Sequence, residues 1–250
     1  MRGLEVTTRG IVGTLAVLIV AAVCVRLGIW QLDRRADRLD RNRAVAERVA
    51  LPPVTLDALP PDTAGLTFRR AVVAGPVDDD RAIILAGRSR NGAPGVHLLS
   101  PVRIGGGALL VNRGWLPAAD AATIDLDAAR LRGEIRAEGV LTPFPDVDVD
   151  PPDGFQVRWF RVDGESIRGQ YPYPVASLYL VTTAPVEPGS DDGGRGEAGS
   201  DATDALAPAP LEPPRLEPGP HLSYAVQWFS FAAIALIGWV VLLVRRTDDG

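Results

Sequence analysis

The sequence of 250 residues is poor in the residues that build metal and redox centres. It contains one Cys, one Met and two His, and all 26 of its basic residues are Arg. A single Cys excludes an intrachain disulfide and a CxxC redox or zinc site, and two His cannot form a three-His metal site. A thioether copper shuttle is disfavoured because the only Met is the initiator. The formal net charge of −5 argues against nucleic-acid binding, which needs a basic surface.

The familiar motifs of catalysis are also missing. The sequence has no GxSxG or HExxH pattern, and the glycines 105–107 lack the GxGxxG spacing of a phosphate loop. Three alternating aspartates resemble a calcium loop, but its Gly and its distant Glu are absent; they are Asp146, Asp148 and Asp150. Because no nucleophile–base pair is visible, we predict that the protein is not an enzyme. A membrane-bound hydrolase or transferase is the disfavoured alternative.

Two long apolar runs stand out against this background. Residues 11–25 carry no charge, and the run continues past Arg26 to Trp30; residues 224–244 are uncharged throughout. Each run is long enough to cross a hydrocarbon core of ~30 Å. We predict two transmembrane helices, the first an uncleaved anchor because no small-x-small site precedes a polar mature start. The alternatives are a cleavable signal peptide for the first run and a buried core helix for the second.

The distribution of Arg predicts the orientation in the membrane. Arg245 and Arg246 follow the second run, and Arg2 and Arg9 precede the first. Positively charged flanks favour the cytoplasmic side, so both termini are expected there, in the plasma membrane. The arginines of residues 31–50 would also prefer the cytoplasm, but the long segment between the spans translocates largely regardless of its charge. We therefore expect an extracytoplasmic central domain.

Between the spans, short β-rich runs alternate with turn signals. They predict seven strands, typical of a small antiparallel barrel or sandwich with some helix. The predicted strands cover residues 67–74, 82–86, 96–101, 108–112, 134–141, 155–162 and 177–183, and the predicted helices cover 118–131 and 163–169.

A Pro- and Gly-rich stretch separates this domain from the second span. Residues 185–220 hold eight Pro, six Gly and eight acids, and we expect such a stretch to be a disordered tether. The fold class is therefore two transmembrane α-helices flanking a β-rich, antiparallel barrel- or sandwich-like α+β domain. The predicted segments are a cytoplasmic N-terminus (1–9), transmembrane helix 1 (10–30), an Arg-rich juxtamembrane helix (31–50), the β-rich domain (51–184), the tether (185–220), transmembrane helix 2 (221–244) and a cytoplasmic tail (245–250).

The two histidines have different prospects as ligands. His97 falls in a predicted strand, where a structural or exposed side chain is expected. His221 begins the second apolar run, and helical spacing places it on one face with Tyr224, Ala225, Trp228 and Ala232. A flat macrocycle could lie against the alanines while the imidazole ligates its iron. The alternative is an interfacial aromatic belt with a His that caps the helix or lies among headgroups.

Several segments, taken together and in order, resemble the Surfeit locus protein 1 family in an actinobacterial-like form. These are residues 27–34 (LGIWQLDR), 68–75 (FRRAVVAG), 95–101 followed by 109–117 (LLVNRGWLP), and 221–229 (HLSYAVQWF). The family's members are assembly factors for cytochrome c oxidase. The resemblance therefore implies a protein that binds haem a transiently and assists its insertion into the catalytic subunit of the oxidase. The alternative is a membrane scaffold for oxidase assembly that binds no haem.

The resemblance also suggests which residues would form the site. It implies that His221 is the axial ligand of the haem iron. Arg34 or Arg35 would then pair with the haem propionates, and Trp30, Trp228 and Tyr224 would contact the ring. For residues 112–117 we prefer a structural role, with partner docking as the alternative. The expected partners are the oxidase catalytic subunit, haem a synthase and the lipid bilayer, and no nucleic acid.

Overall fold

A computed structural model of the chain describes residues 8–60, 62–145, 154–188, 207–212 and 216–248. The chain forms two compact units, Met1–Val45 with Leu216–Gly250, and Ala46–Arg215. The aspartates at 146, 148 and 150, the middle of the predicted tether (189–206) and residues 1–7 lie outside the described residues.

The first unit is built from two long helices. Helix α1 spans Thr8–Ala50 without interruption, so it contains both the predicted span 10–30 and the Arg-rich segment 31–50. Helix α3 spans His221–Asp248. Both helices are long and apolar enough to cross a membrane, and the two predicted apolar helices are confirmed. At 1.5 Å per residue, α1 is about twice as long as a hydrocarbon core is thick.

Among its described residues, the second unit contains a nine-stranded sheet, one short α-helix, α2, at Gly164–Gly169, and a 3₁₀ turn at Asp79–Arg81. Its strands follow the order β1-β2-β6-β8-β5-β4-β3-β7, and β9 pairs with β6. The β-rich domain is confirmed, but the sheet is mixed, because the β1–β2, β5–β8 and β3–β7 pairs are parallel. The strands are β1 Val54–Leu56, β2 Arg70–Pro76, β3 Ile83–Arg90, β4 Ala93–Ile104, β5 Gly107–Pro117, β6 Glu134–Pro143, β7 Arg158–Trp159, β8 Val175–Thr182 and β9 Glu187–Pro188.

The sheet curls so that the end of β2 meets β4. Val77, just after β2, forms an antiparallel bridge with Val102 of β4, and the Asp78 amide donates to the Pro101 carbonyl at 2.9 Å. A β-carbon at Gly75 would collide with the Arg103 carbonyl, so glycine permits this close approach. The strands β2, β6, β8, β5 and β4 thus surround a common apolar core. Its buried members include Val73, Val102, Leu109, Val111, Ile135, Leu141, Leu178 and Leu180.

The segment 118–131 covers one outer face of the sheet but is not the predicted helix. Its described residues form turns, because Asp120 Oδ1 accepts hydrogen bonds from the amides of Ala122 and Thr123 at 2.9 and 2.8 Å. Such local bonds compete with helix formation, and Ala121 has a left-handed φ of 52°. The predicted helix at 163–169 is present as α2, where the Asp163 carboxylate caps the first amides.

The strand prediction errs mainly at the edges of the sheet. The expected strand 155–162 contracts to the two residues of β7, and β1 and β9 were not predicted. Two parts of the expected tether pair with strands of the sheet. Strand β9 pairs with β6, and Ala209 exchanges two 2.8 Å backbone hydrogen bonds with Trp115 of β5. Backbone pairing orders these residues although their side chains are Pro-rich and acidic.

Candidate functional site

The two long helices meet along a seam with a heptad-like spacing, here called the α1–α3 seam. Its residues recur every three or four positions, the interval that keeps one stripe of a helix facing its partner. Most of them are small, which lets the backbones approach closely. The seam consists of Thr14, Val17, Ala21, Cys24, Gly28 and Gln31 on α1, and of His221, Ala225, Trp228, Ala232, Ala235 and Trp239 on α3, all buried or half-buried.

Contacts along the seam show that the helices are antiparallel. Near one end, Trp239 packs on Gly13 and donates from Nε1 to Thr14 Oγ1 at 3.1 Å. In the middle, Ala21, Cys24 and Ala232 form a buried cluster against which Trp228 packs. Further along, the Phe229 ring lies on Gly28, where a β-carbon would come within 2.7 Å of it. The seam therefore brings the first residue of α3 to the polar part of α1.

His221 is held at this point by an amide side chain. Its Nδ1 lies 3.0 Å from Gln31 Oε1, and its ring is partly buried. An amide oxygen only accepts hydrogen bonds, so in a neutral imidazole this contact requires the proton on Nδ1 and leaves the lone pair on Nε2. Within the described parts of the chain, no group forms a hydrogen bond with Nε2. The imidazole thus presents one nitrogen that can act as a ligand.

The loop before His221 is also tied to α1. Arg38 Nε and Asn42 Nδ2 both donate to the Glu217 carbonyl, at 3.0 and 3.1 Å. Gly219 turns the chain with a φ of 74°. Sequence reasoning did not identify Gln31, Arg38 or Asn42 as parts of the site. The signal that could have found them is the seam interval, because Gln31 and Arg38 continue it beyond Cys24.

The structure corrects the surface expected for a macrocycle on α3. Ala225 and Ala232 are only 1% and 4% exposed, and Ala232 packs with Ala21 and Cys24 of α1. Trp228 shares that helix–helix interface and meets Phe231 edge to face. Tyr224 lies off the seam and is 48% exposed. Of the five residues of the predicted face, Tyr224 alone is exposed, and His221 is half-buried.

The predicted residues of α1 lie on two sides of the helix, because Trp30 and Arg34 are four positions apart on one face and Arg35 lies on the next. Trp30 is 46% exposed and, with Arg26 and Leu27, lines an open cavity of about 340 Å³. Arg34 is exposed and Arg35 is half-buried. Neither guanidinium has an ion-pair partner among the described residues. The structure therefore brings Gln31 to His221 and Arg38 to the preceding loop, whereas Arg34 and Arg35 form no hydrogen bond with either among the described residues.

A profile of the SURF1 family matches residues 18–233, from the first apolar run to the middle of α3. The chain belongs to the SURF1 family. This confirms the resemblance inferred from the four sequence segments.

Three relatives show the extent of this similarity. The chain is 26% identical to a SURF1-like protein of Monosiga brevicollis over 241 residues, which cover 91% of this chain and 86% of the relative. It is 27% identical to a SURF1-like protein of Mycobacterium tuberculosis over 228 residues, covering 85% and 74%. It is 24% identical to Surfeit locus protein 1 of Mus musculus over 251 residues, covering 92% and 75%. The mycobacterial match is consistent with an actinobacterial-like member.

In this SURF1-family chain the segment 112–117 stabilises the β-rich domain through buried polar contacts. Arg113 forms a 2.9 Å ion pair with Asp79, and both side chains are only 4% exposed. Arg113 also donates to the Ala129 carbonyl at 2.7 Å, which ties the 118–131 segment to the sheet. Burial lowers the pKa of Arg113 from its ordinary value, and Asp79 opposes that shift.

Gly114 supports the same structural interpretation. It has a φ of 126° and lies at a register shift between β4 and β5, as expected of a bulge. Asn112 Oδ1 accepts a hydrogen bond from its amide at 3.1 Å, and a β-carbon at this position would collide with the Ala209 carbonyl. The glycine therefore lets the returning segment pair with β5.

His97 lies beside this segment in the domain. Its Nδ1 is 3.4 Å from Asn112 Nδ2, and it borders a cavity of about 210 Å³ together with Trp115 and Arg90. Burial, and secondarily the charge of Arg88, lowers the pKa of His97 to about 4. Across the part of the chain that the structure describes, no group of three or more His, Cys, Asp or Glu could hold a metal ion.

Proposed function

We propose that this SURF1-family protein is a cytochrome c oxidase assembly factor that binds haem a at His221 and assists its insertion into the catalytic subunit. Family membership supports the broad role in oxidase assembly. The observation that supports the haem-binding step is the hydrogen bonding of the two ring nitrogens of His221. Its Nδ1 is engaged by Gln31, while Nε2 has no hydrogen-bond partner among the described residues.

The residues around His221 fit a loosely held haem better than an enclosed one. The imidazole is a usual axial ligand of haem iron. On α1, Arg26, Leu27 and Trp30 line an open cavity of about 340 Å³, which is at the low end of the ~300–1,000 Å³ that cofactor sites occupy. An open site with a single ligand suits a protein that must release its cargo to another subunit. When bound, the haem would supply the iron centre of the mature oxidase, and this protein would perform no turnover chemistry.

The other predicted residues would contact the ring or the propionates of the haem. Trp30 and Tyr224 have exposed rings and would contact the macrocycle. Trp228 would support the site from within the seam. Arg34 or Arg35 would pair with the propionates, because a guanidinium binds carboxylates through paired charge-assisted hydrogen bonds.

The proposed location is the plasma membrane, with α1 and α3 as its two spans. Both termini would be cytoplasmic and the β-rich domain extracytoplasmic, because arginines flank the outer ends of both apolar runs. The partners proposed are the oxidase catalytic subunit, which would receive the haem, and haem a synthase, which would supply it. The lipid bilayer would cover the exposed apolar faces of both helices.

An absorption spectrum of the full chain, co-produced with the haem a pathway and purified in detergent, tests the proposal. We expect a Soret band in the wild type and its loss in His221→Ala, because the imidazole would be the axial ligand. The matched control is His97→Gln, which removes the other imidazole of the chain and should leave the band unchanged.

Two results would contradict this proposal. An unaltered Soret band in His221→Ala would refute the ligand. A wild type that carries no haem a, in cells where deletion of the protein still impairs oxidase assembly, would favour the scaffold alternative.

A further inference from the structure

We infer that Gln31 is a positioning residue for His221: its amide oxygen holds the proton on Nδ1 and thereby presents the Nε2 lone pair to an iron-centred ligand. The inference rests on the proposed function, because it concerns how the same histidine would bind haem. It adds a residue of α1 whose role is to orient the ligand and not to touch the haem.

The hydrogen bond itself is the first step of the argument. Gln31 Oε1 and His221 Nδ1 are 3.0 Å apart although 190 residues separate them in the chain. A neutral imidazole carries its proton on one nitrogen only, so a hydrogen bond donated by Nδ1 fixes the tautomer and the ring orientation. In haem and metal sites, such a partner on the second nitrogen typically sets the basicity of the ligand.

The backbone that carries His221 is fixed from the same helix. Arg38 and Asn42 donate hydrogen bonds to the Glu217 carbonyl at 3.0 and 3.1 Å. Arg38 and Asn42 follow Gln31 on the same helix, about two and three helical turns further along. Three side chains of one helix thus hold both the imidazole and the loop that leads to it.

Access to Nε2 is the third step. A β-carbon on Gly219 would lie 3.3 Å from Cδ2 and 3.4 Å from Nε2 of His221. The φ of 74° at Gly219 also favours glycine, because other residues rarely adopt a left-handed backbone. The residue beside the free nitrogen therefore carries no side chain that would cover it. Gln31 on one side and Gly219 on the other leave Nε2 as the accessible nitrogen.

The tautomer can be measured without haem. The chain has only two histidines, so the ¹⁵N-histidine spectrum of the full protein in detergent micelles contains two imidazoles, and His97→Gln assigns them. At a pH where the ring is neutral, we expect the Nδ1–H tautomer for His221. Gln31→Leu should shift His221 towards Nε2–H, whereas Gln31→Glu should keep Nδ1–H because its carboxylate is also an acceptor. Gln227→Leu, an exposed amide on α3, is the matched control and should change nothing.

Haem retention provides the second measurement. We expect Gln31→Leu to weaken haem a retention by roughly 10- to 100-fold, the usual effect of losing the partner of a ligating histidine. Gln31→Glu should retain haem, and far-UV circular dichroism should be unchanged in all variants. A Nε2–H tautomer in the wild type, or an unchanged tautomer in Gln31→Leu, would overturn the inference. A wild type with the Nδ1–H tautomer but no haem a would instead refute the proposed ligation, while supporting the positioning of the ring by Gln31.

Discussion

At the scale of single residues, His97 shows how burial in the domain changes the pKa of a side chain. Its imidazole is half-buried in β4 and faces the Asn112 amide. Removal from water disfavours the charged ring, so its pKa falls from 6.5 to about 4. The fold therefore keeps this histidine neutral at pH values where a solvated imidazole is protonated.

This neutral histidine predicts a pH-dependent stability. As pH falls from about 6.5 to 4, the unfolded chain binds a proton that the folded protein does not, so the free energy of unfolding decreases. The contribution of His97 is fully present above about pH 6.5, and we expect about 2 kcal/mol of it to be lost by about pH 4.5.

Urea unfolding of the full chain in micelles, followed at both pH values, would measure this loss. His97→Gln should remove that part of the pH dependence, because its amide does not titrate. His221→Gln is the matched control and should retain it. An identical pH dependence in the wild type and in His97→Gln would contradict the prediction.

At the scale of elements, the α1–α3 seam is the feature that assembles the candidate site. Ala21, Cys24 and Ala232 form its centre. Aromatic rings of α3 pack against two glycines of α1, Gly13 and Gly28. Helix pairs in lipid depend on such close van der Waals packing, because lipid offers no hydrophobic driving force between them. The position of Gln31 beside His221 therefore depends on small residues elsewhere along the seam.

A bulky residue at Gly28 should loosen this seam. We expect Gly28→Leu to make buried Cys24 more reactive towards a maleimide in micelles, by roughly tenfold if packing weakens by about 1.4 kcal/mol. The reason is the Phe229 ring, which would lie only 2.7 Å from a β-carbon at this position.

Gly238→Leu provides the matched control for this experiment. It places the same side chain on α3 where nothing lies within 4 Å of the β-carbon, so Cys24 should react at the wild-type rate. Equal alkylation rates in all three proteins would show that Gly28 does not set the packing of the helices.

At the scale of the whole molecule, the charge distribution predicts how the protein crosses the membrane. Two arginines follow the apolar part of α3, and the central segment is too long for its own charges to retain it in the cytoplasm. Both ends of the chain should therefore lie on the side opposite the β-rich domain.

Labelling of intact cells with a membrane-impermeant maleimide tests this orientation. In a Cys24→Ser background, Ala119→Cys, at an exposed position of the 118–131 segment, should react once the reagent reaches the outer face of the plasma membrane. Thr247→Cys near the end of α3 should react only after lysis. Labelling of Thr247→Cys in intact cells, with Ala119→Cys protected, would reverse the proposed topology.

Prediction from the sequence succeeded where the information is local along the chain. The two apolar runs and α2 are confirmed, because run length and the cap at Asp163 are properties of neighbouring residues. It failed at 118–131, where the side chain of Asp120 closes turns that composition alone does not reveal. It also missed β1 and β9, since strands of three and two residues are defined by the partners they meet.

The sequence by itself determined the two membrane-length helices, the β-rich domain between them and the family, because these follow from apolar runs and contiguous motifs. Only the tertiary structure decided what surrounds His221. It buried Ala225 and Ala232, the latter against Ala21 and Cys24 of α1, and brought Gln31 to His221 across 190 residues. The physical reason is that helical periodicity defines the faces of one helix, whereas the packing of small residues against aromatic rings selects the partner and its register.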